Sequence, residues 1–232
     1  MYLMLLHSVI NAEEQFVLGK SSTGIDITGY SFGSGKNCIV IIGGIHGRYE
    51  ANTIQLTEKL ITYCQERENK LRLTIKILYN LNPDGFIYEL DSPKVRANRS
   101  LIRFNGNGVD LNRNWETPDW QADVVYSQND VRKGAGGKKP MSESEVQYLA
   151  LMLYQWNTLY ENLYIIMLHS YVLNQQKIGE IFPAYLYNSK DKVELNPGAV
   201  ELAKNFTVNN NFILSEIFSY YPVSGEFIYW CG

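Results

Sequence analysis

The chain has 232 residues, 45% hydrophobic and 19% charged, with a formal net charge of −3. That is ordinary globular composition, which excludes a disordered or collagen-like chain, and the acidic balance argues against nucleic-acid binding through a basic surface. The length suits one domain spanning residues 1–232.

The N-terminus, Met1 to His7, is apolar but has no basic n-region and no cleavage site. No apolar run approaches the about 20 residues of a membrane span. Cys38, Cys64 and Cys231 cannot all pair within one chain, and the first two lie in apolar segments. A cytoplasmic location with reduced thiols and no membrane partner is the expectation. Residues 24–33 alternate around glycines and read as one or two edge strands. Gly33-Ser34-Gly35-Lys36 fails the phosphate-loop spacing and precedes a strand instead of following one. Cys38 to Ile42 is a continuous apolar run ended by Gly43-Gly44, the pattern of a strand buried on both faces. Residues 51–66 have helical spacing, with Ile54, Ile61 and Cys64 on one face.

Leu71, Leu73, Ile75 and Ile77 alternate with Arg72, Thr74 and Lys76, which reads as a half-buried strand stopped by the turn Asn82-Pro83-Asp84-Gly85. Residues 82–140 carry little periodicity, and so long an irregular stretch in a compact domain points to function. Within it, the basic, glycine-rich run Arg132 to Lys139 reads as a solvated, mobile loop. A helix is expected from Ser144 to Trp156, capped by Ser142 or Ser144. Leu163 to Leu168 reads as another central strand, and residues 197–206 as a further helix. Strands alternating with helices imply a single α/β domain with a central mixed, mostly parallel β-sheet flanked by helices.

There are only three histidines, at positions 7, 46 and 169. His46 lies just past the first buried strand and His169 ends the second. Open α/β sheets bind ligands beyond the carboxyl ends of their strands. Glu50 follows His46 by one helical turn, which brings the two side chains close together. Two histidines and a carboxylate are a ligand set for catalytic zinc, which keeps a fourth position for water. His7 has no such partner in sequence.

From about residue 24 to its end, the chain resembles the zinc carboxypeptidases of the carboxypeptidase A type, in particular short bacterial members. Six ordered motifs carry the resemblance: Gly43-Gly44-Ile45-His46-Gly47, Asn82-Pro83-Asp84-Gly85-Phe86, Gly108-Val109-Asp110-Leu111-Asn112-Arg113-Asn114-Trp115, Pro140-Met141-Ser142-Glu143-Ser144-Glu145, Leu168-His169-Ser170-Tyr171 and Tyr221-Pro222-Val223-Ser224-Gly225.

The resemblance implies one zinc ion held by His46, Glu50 and His169, with Asp110 orienting the His46 ring. Asn112 and Arg113 resemble the pair that grips a terminal carboxylate. Arg103 resembles the arginine that polarises the scissile carbonyl, with Arg96 and Arg99 as nearby competitors. Tyr221 resembles a tyrosine that closes over substrate, and Ile228 lines the side-chain pocket, weakly favouring an apolar terminal residue. The implied activity is hydrolysis of the C-terminal peptide bond, in proteins or cell-wall peptides, by zinc-activated water.

Two departures stand out. The family's usual ligand spacing is His-x-x-Glu, whereas here glutamate comes one residue later, which requires a local backbone adjustment. The family's general-base glutamate lies on a strand beyond the tryptophan matching Trp230, and this sequence ends at Gly232. The domain is therefore expected to lack its C-terminal strand and helix, with Glu226 and Glu216 as nearby carboxylates. Two other readings follow: a peptide-binding pseudoenzyme, and a zinc deacylase of the aspartoacylase type.

Overall fold

Strand β3 (Asn37–Ile42) organises the molecule. Cys38, Val40 and Ile42 point to one face of the sheet and are fully buried, while Ile39 and Ile41 point to the other. The computed structural model describes residues 14–170, 179–189, 192–216 and 223–231. In chain order, β1 (Glu14–Lys20), β2 (Asp26–Phe32) and β3 lead into helix α1 (Ala51–Gln65), then β4 (Thr74–Leu78), α2 (Pro93–Ala97) and the hairpin β5 (Val124–Ser127) and β6 (Asp130–Arg132). Helix α3 (Ser144–Leu159), β7 (Asn162–Met167), β8 (Glu180–Ile181), β9 (Tyr185–Ser189) and β10 (Lys192–Leu195) follow, then α4 (Pro197–Asn209), β11 (Ile213–Leu214) and α5 (Phe227–Trp230).

The main sheet has the order β1-β2-β4-β3-β7. β1 and β4 both run antiparallel to β2, whereas β4, β3 and β7 are mutually parallel. Four of the five strands thus point one way. Helix α1 covers one face through Ile61 and Cys64, packed with Phe32 and Ile77. Helix α3 covers the other through Val146, Leu149, Leu153 and Trp156, packed with Val40, Ile42 and Leu78. Each such aliphatic side chain contributes about 1.5–3 kcal/mol on full burial.

Both coverings change the reading of β4. The alternation suggested one solvated face, but Lys76 points under α3. Its ammonium lies 5.5 Å from the Phe16 ring centroid, 5.0 Å from Trp156 and 5.9 Å from Tyr160, and it donates to Ser31 Oγ at 3.1 Å. The rings offer their negative faces to the cation, so an amphipathic lysine serves as a core-facing residue. Burial still disfavours the charge and lowers the Lys76 pKa, against the pull of Cys38 and Glu14. Strand β4 also starts later than the alternation suggested, at Thr74, because it pairs with β2 and β3 only over Thr74–Leu78.

Three further expectations change. β7 lies at the end of the described sheet, paired with β3 alone. Helix α3 is preceded by Glu143, whose side chain makes no cap; Ser144 is already helical and donates to Lys20 O at 3.0 Å. The expected loop at Arg132–Lys139 is anchored at its centre, where Ala135, Gly136 and Gly137 are buried. Ala135 O accepts from Asp110 N, and Gly136 O from Asn114 Nδ2, at 2.8 and 2.7 Å. No helix among the described residues is long and apolar enough to cross a membrane, and Cys38, Cys64 and Cys231 are free thiols.

Candidate metal centre

The parallel pairing of β3 with β7 builds the site. Ile42 pairs with Met167, and Leu168 N donates to Ile42 O at 2.8 Å, so the two strands end level. His169 is then delivered beside His46, with ring centroids 5.2 Å apart. Glu50 arrives through a short 3₁₀ turn, Gly47–Glu50, that leads directly into α1. This turn carries the backbone from His46 to Glu50 over the longer spacing. Gly47 opens it at φ +51°, and a Cβ there would meet Gly85 backbone carbons at 2.9 Å. Tyr49, the residue at the more common ligand spacing, is half-exposed at the surface.

His46, Glu50 and His169 offer donor atoms that all lie within 4.8 Å of one another. Glu50 Oε1 is 2.9 Å from His46 Nδ1 and 3.4 Å from His169 Nδ1. Behind them, Asp110 is fully buried and saturated. Its Oδ1 accepts from Asn112 N at 3.0 Å and contacts His46 Nε2 at 3.1 Å. Its Oδ2 accepts from Arg103 Nε at 2.9 Å and from the Tyr126 hydroxyl. An ionised carboxylate only accepts, so Nε2 carries the proton and Nδ1 presents its lone pair towards Glu50. Arg103 Nη2, at 3.0 Å from the same Nε2, therefore bonds Asp110 Oδ2 at 2.9 Å instead.

The charges follow this layout. Burial opposes ionisation of Asp110, but Arg103 and His46 outweigh it and hold the carboxyl well below its usual range. Glu50 behaves alike: burial raises it, and the two histidines bring it far below the normal value. His46 is pulled down by burial and by Arg103, yet Glu50 and Asp110 leave its pKa net raised.

One turn further on lie Asn112 and Arg113, in a 3₁₀ turn capped by the Asp110 side chain. Arg113 is 1% exposed. Its Nη1 donates to Asn112 O and to Glu226 Oε1, both at 2.7 Å. Asn112 Oδ1 accepts from Phe227 N at 3.0 Å, and Asn112 Nδ2 is 3.4 Å from Glu226 Oε1. Both residues thus converge on one internal carboxylate. Among the arginines, Arg103 is the one brought to the histidines; Arg96 and Arg99 are exposed, and Arg96 donates to Asp91 O. Ile228 is half-buried on α5, two residues past Glu226. Glu216 is exposed. Tyr221 and His7 lie outside the described residues.

The family model for zinc carboxypeptidases matches residues 11–229. The chain belongs to the zinc carboxypeptidase family. The fold agrees with that family. The crystal structure of thrombin-activatable fibrinolysis inhibitor aligns with TM-score 0.69 over 94% of this chain and 57% of that one, at 21% identity. Carboxypeptidase A from Helicoverpa armigera aligns with TM-score 0.69 at 20% identity, over 94% of this chain and 56% of that one. Murein-tripeptide amidase from Escherichia coli O157 aligns with TM-score 0.59 at 21% identity, over 94% and 77%. In sequence, murein peptide amidase A of Escherichia coli (strain K12) is 27% identical over 122 residues, covering 50% of this chain and 43% of that protein. The matched segment is less than half of that relative.

The residues fit the zinc that zinc carboxypeptidases carry. His46 Nδ1 and Glu50 Oε2 are buried and have no hydrogen-bond partner. Both belong to residues of the donor cluster whose atoms lie within 4.8 Å of one another. Nitrogen and carboxylate donors are the ligands zinc prefers. One residue of this centre had no sequence signal, and a second had only a weak one. Tyr126 reaches Asp110 from the β5–β6 hairpin, and its hydroxyl pKa is raised by burial and by Asp110. Glu226 was visible only as a carboxylate beside Gly225, with nothing to pair it to Arg113.

Proposed function

We propose that this protein is a zinc-dependent metallocarboxypeptidase that hydrolyses the C-terminal amide bond of peptides. The observation that carries the reading is the joining of two devices in one short segment. Asp110 orients His46 at the donor cluster, and the turn it caps carries Asn112 and Arg113. A substrate held by its terminal carboxylate is thereby set at a fixed distance from the metal ligands, and orientation of this kind lowers the barrier by avoiding an entropic cost.

Zinc held by His46, Glu50 and His169 would polarise the scissile carbonyl and bring a water pKa towards about 7. The chain's own residues orient the ligands, bind the substrate and supply positive charge. Asp110 fixes the tautomer of His46 and raises its basicity as a ligand. Asn112 and Arg113 take the terminal carboxylate, the arginine through its planar fork. Arg103, stacked 5.3 Å from the Tyr49 ring and 5.4 Å from Tyr126, stands beside His46 and supplies positive charge where a carbonyl oxygen becomes anionic. Tyr221 and Ile228 are proposed to close over and line the terminal side chain.

Cell-wall peptides are the favoured substrates, since the curated relative named above is a murein peptide amidase. The test is zinc analysis of the purified protein, with hydrolysis measured on free and C-terminally amidated peptides and on muropeptides. One zinc per chain, with activity on free C-termini and faster turnover of muropeptides, is the expected result. Absence of zinc, or no hydrolysis of either class by the zinc-loaded protein, would refute the proposal.

A further inference from the structure

Glu226 is built into its place by the backbone around it. Gly225 has φ +64°, and a Cβ there would stand 2.5 Å from Arg113 O. Gly225 O accepts from Trp115 N at 3.0 Å, and Phe227 N donates to Asn112 Oδ1 at 3.0 Å. The segment 225–227 is therefore docked against the 112–115 turn from both sides of Glu226. Its side chain has Arg113 Nη1 at 2.7 Å and Asn112 Nδ2 at 3.4 Å, the two donors assigned above to a substrate's terminal carboxylate.

We propose that Glu226 is a specificity-determining residue: its carboxylate occupies the seat of the substrate's terminal carboxylate on Asn112 and Arg113, and a substrate acid binds by displacing it. The proposal rests on the reading of Asn112 and Arg113 as the carboxylate clamp. A second carboxylate on Arg113 would stand against Glu226, and two like charges at such range cannot both stay ionised at low cost. The outlet is on the glutamate's side, because the Glu226 side chain is 11% exposed and that of Arg113 only 1%.

The exchange trades one buried ion pair for another. A buried ion pair loses in desolvation much of what it gains in attraction, and a substrate carboxylate that takes the place of Glu226 restores the attraction it displaces. Burial raises the Glu226 pKa, and the attraction of Arg113 does not fully offset this. The consequence is a clamp whose arginine charge is already offset by Glu226 before substrate arrives. It gives a free C-terminal acid a smaller advantage over a blocked terminus than an open arginine would.

The test compares wild-type zinc-loaded protein with Glu226→Gln and Glu226→Asp. Calorimetry measures binding of benzoyl-phenylalanine and of its C-terminal amide. Thermal unfolding and zinc content confirm that each variant is folded and loaded. Should the glutamine variant fail to fold, the aspartate variant, whose shorter arm draws back from Arg113, carries the test. The expected result is about tenfold tighter binding of the acid by Glu226→Gln, a smaller gain for Glu226→Asp, and no change for the amide. Unchanged or weaker acid binding in the variants, with wild type still preferring acid over amide, overturns the proposal and leaves the clamp intact. If no form distinguishes acid from amide, the clamp reading fails and the proposal falls with it.

Discussion

At the scale of single residues, Asp110 is the most heavily committed group. It accepts from His46, Arg103, Asn112 N and Tyr126 together. Asp110→Asn keeps the shape but replaces one acceptor oxygen with a donor nitrogen. Arg103 and Tyr126 then lose their shared partner, and the His46 tautomer is no longer held by a negative charge. Zinc affinity should fall by about 10–100-fold, measured by competition with a chelator of known affinity. Unchanged affinity would reduce Asp110 to a structural role. Much of this centre was legible in the sequence. His46 and His169 each follow an apolar run that reads as a strand, and Glu50 stands one turn from His46. What was not legible is the seating of Arg113. Its proposed clamp role comes from a motif, whereas its pairing with Glu226 spans 113 positions and depends on how the segment at Gly225 docks.

At the scale of elements, two joints hold the site loops to the sheet. The first is Asp84, 2% exposed, which accepts from Ser21 Oγ at 2.5 Å, Ser22 Oγ at 2.6 Å, Thr23 Oγ1 at 2.5 Å and Gly106 N at 2.9 Å. It ties the β1–β2 turn to the loop that carries Asp110. Asp84→Ala leaves several of these donors unmatched, and a loss of roughly 3 kcal/mol is expected in denaturant unfolding. Burial raises the Asp84 pKa, but the hydroxyl and amide bonds outweigh it and the net shift is downward. A carboxyl depressed in the folded state stabilises above its unfolded value of about 3.9. That contribution fades as pH falls through the folded value, so the gap between wild type and Asp84→Ala should narrow below pH ~4.

The second joint is Gly47. Gly47→Ala forces φ +51° on a residue with a Cβ and presses it on Gly85 and on Ile102 O at 3.0 Å. Gly108, at φ +78° with nothing within 4 Å, is the control. Gly108→Ala should cost only the left-handed strain of about 1–2 kcal/mol, whereas Gly47→Ala should cost more and also weaken zinc binding. At this scale the strands β3 and β7 and the helices α1, α3 and α4 follow from hydrophobic period alone. The anchored run at 134–137 does not, because its order comes from main-chain bonds to Asp110 and Asn114 that no local pattern records.

At the scale of the whole molecule, the proposed metal joins distant parts of the chain. His46 and Glu50 belong to the β3–α1 junction, and His169 follows β7, which pairs with β3 at the end of the described sheet. Without metal, the buried Nδ1 of His46 and Oε2 of Glu50 are desolvated and unpaired, which costs free energy in the folded state alone. Zinc held there would remove that cost and would bind the native arrangement better than the unfolded chain. Linkage then gives about 2.7 kcal/mol of added stability when free zinc is about 100 times its dissociation constant. For a domain of this size that corresponds to roughly 5–11 °C in the unfolding midpoint. The measurement is thermal unfolding of chelator-treated protein with zinc added back in steps. His169→Ala should abolish most of the shift while leaving the metal-free midpoint nearly unchanged, since His169 is exposed and its loss opens no core cavity. A shift of equal size in His169→Ala would place the stabilising zinc elsewhere, because no other part of the proposed centre ties β7 to the β3–α1 junction through metal.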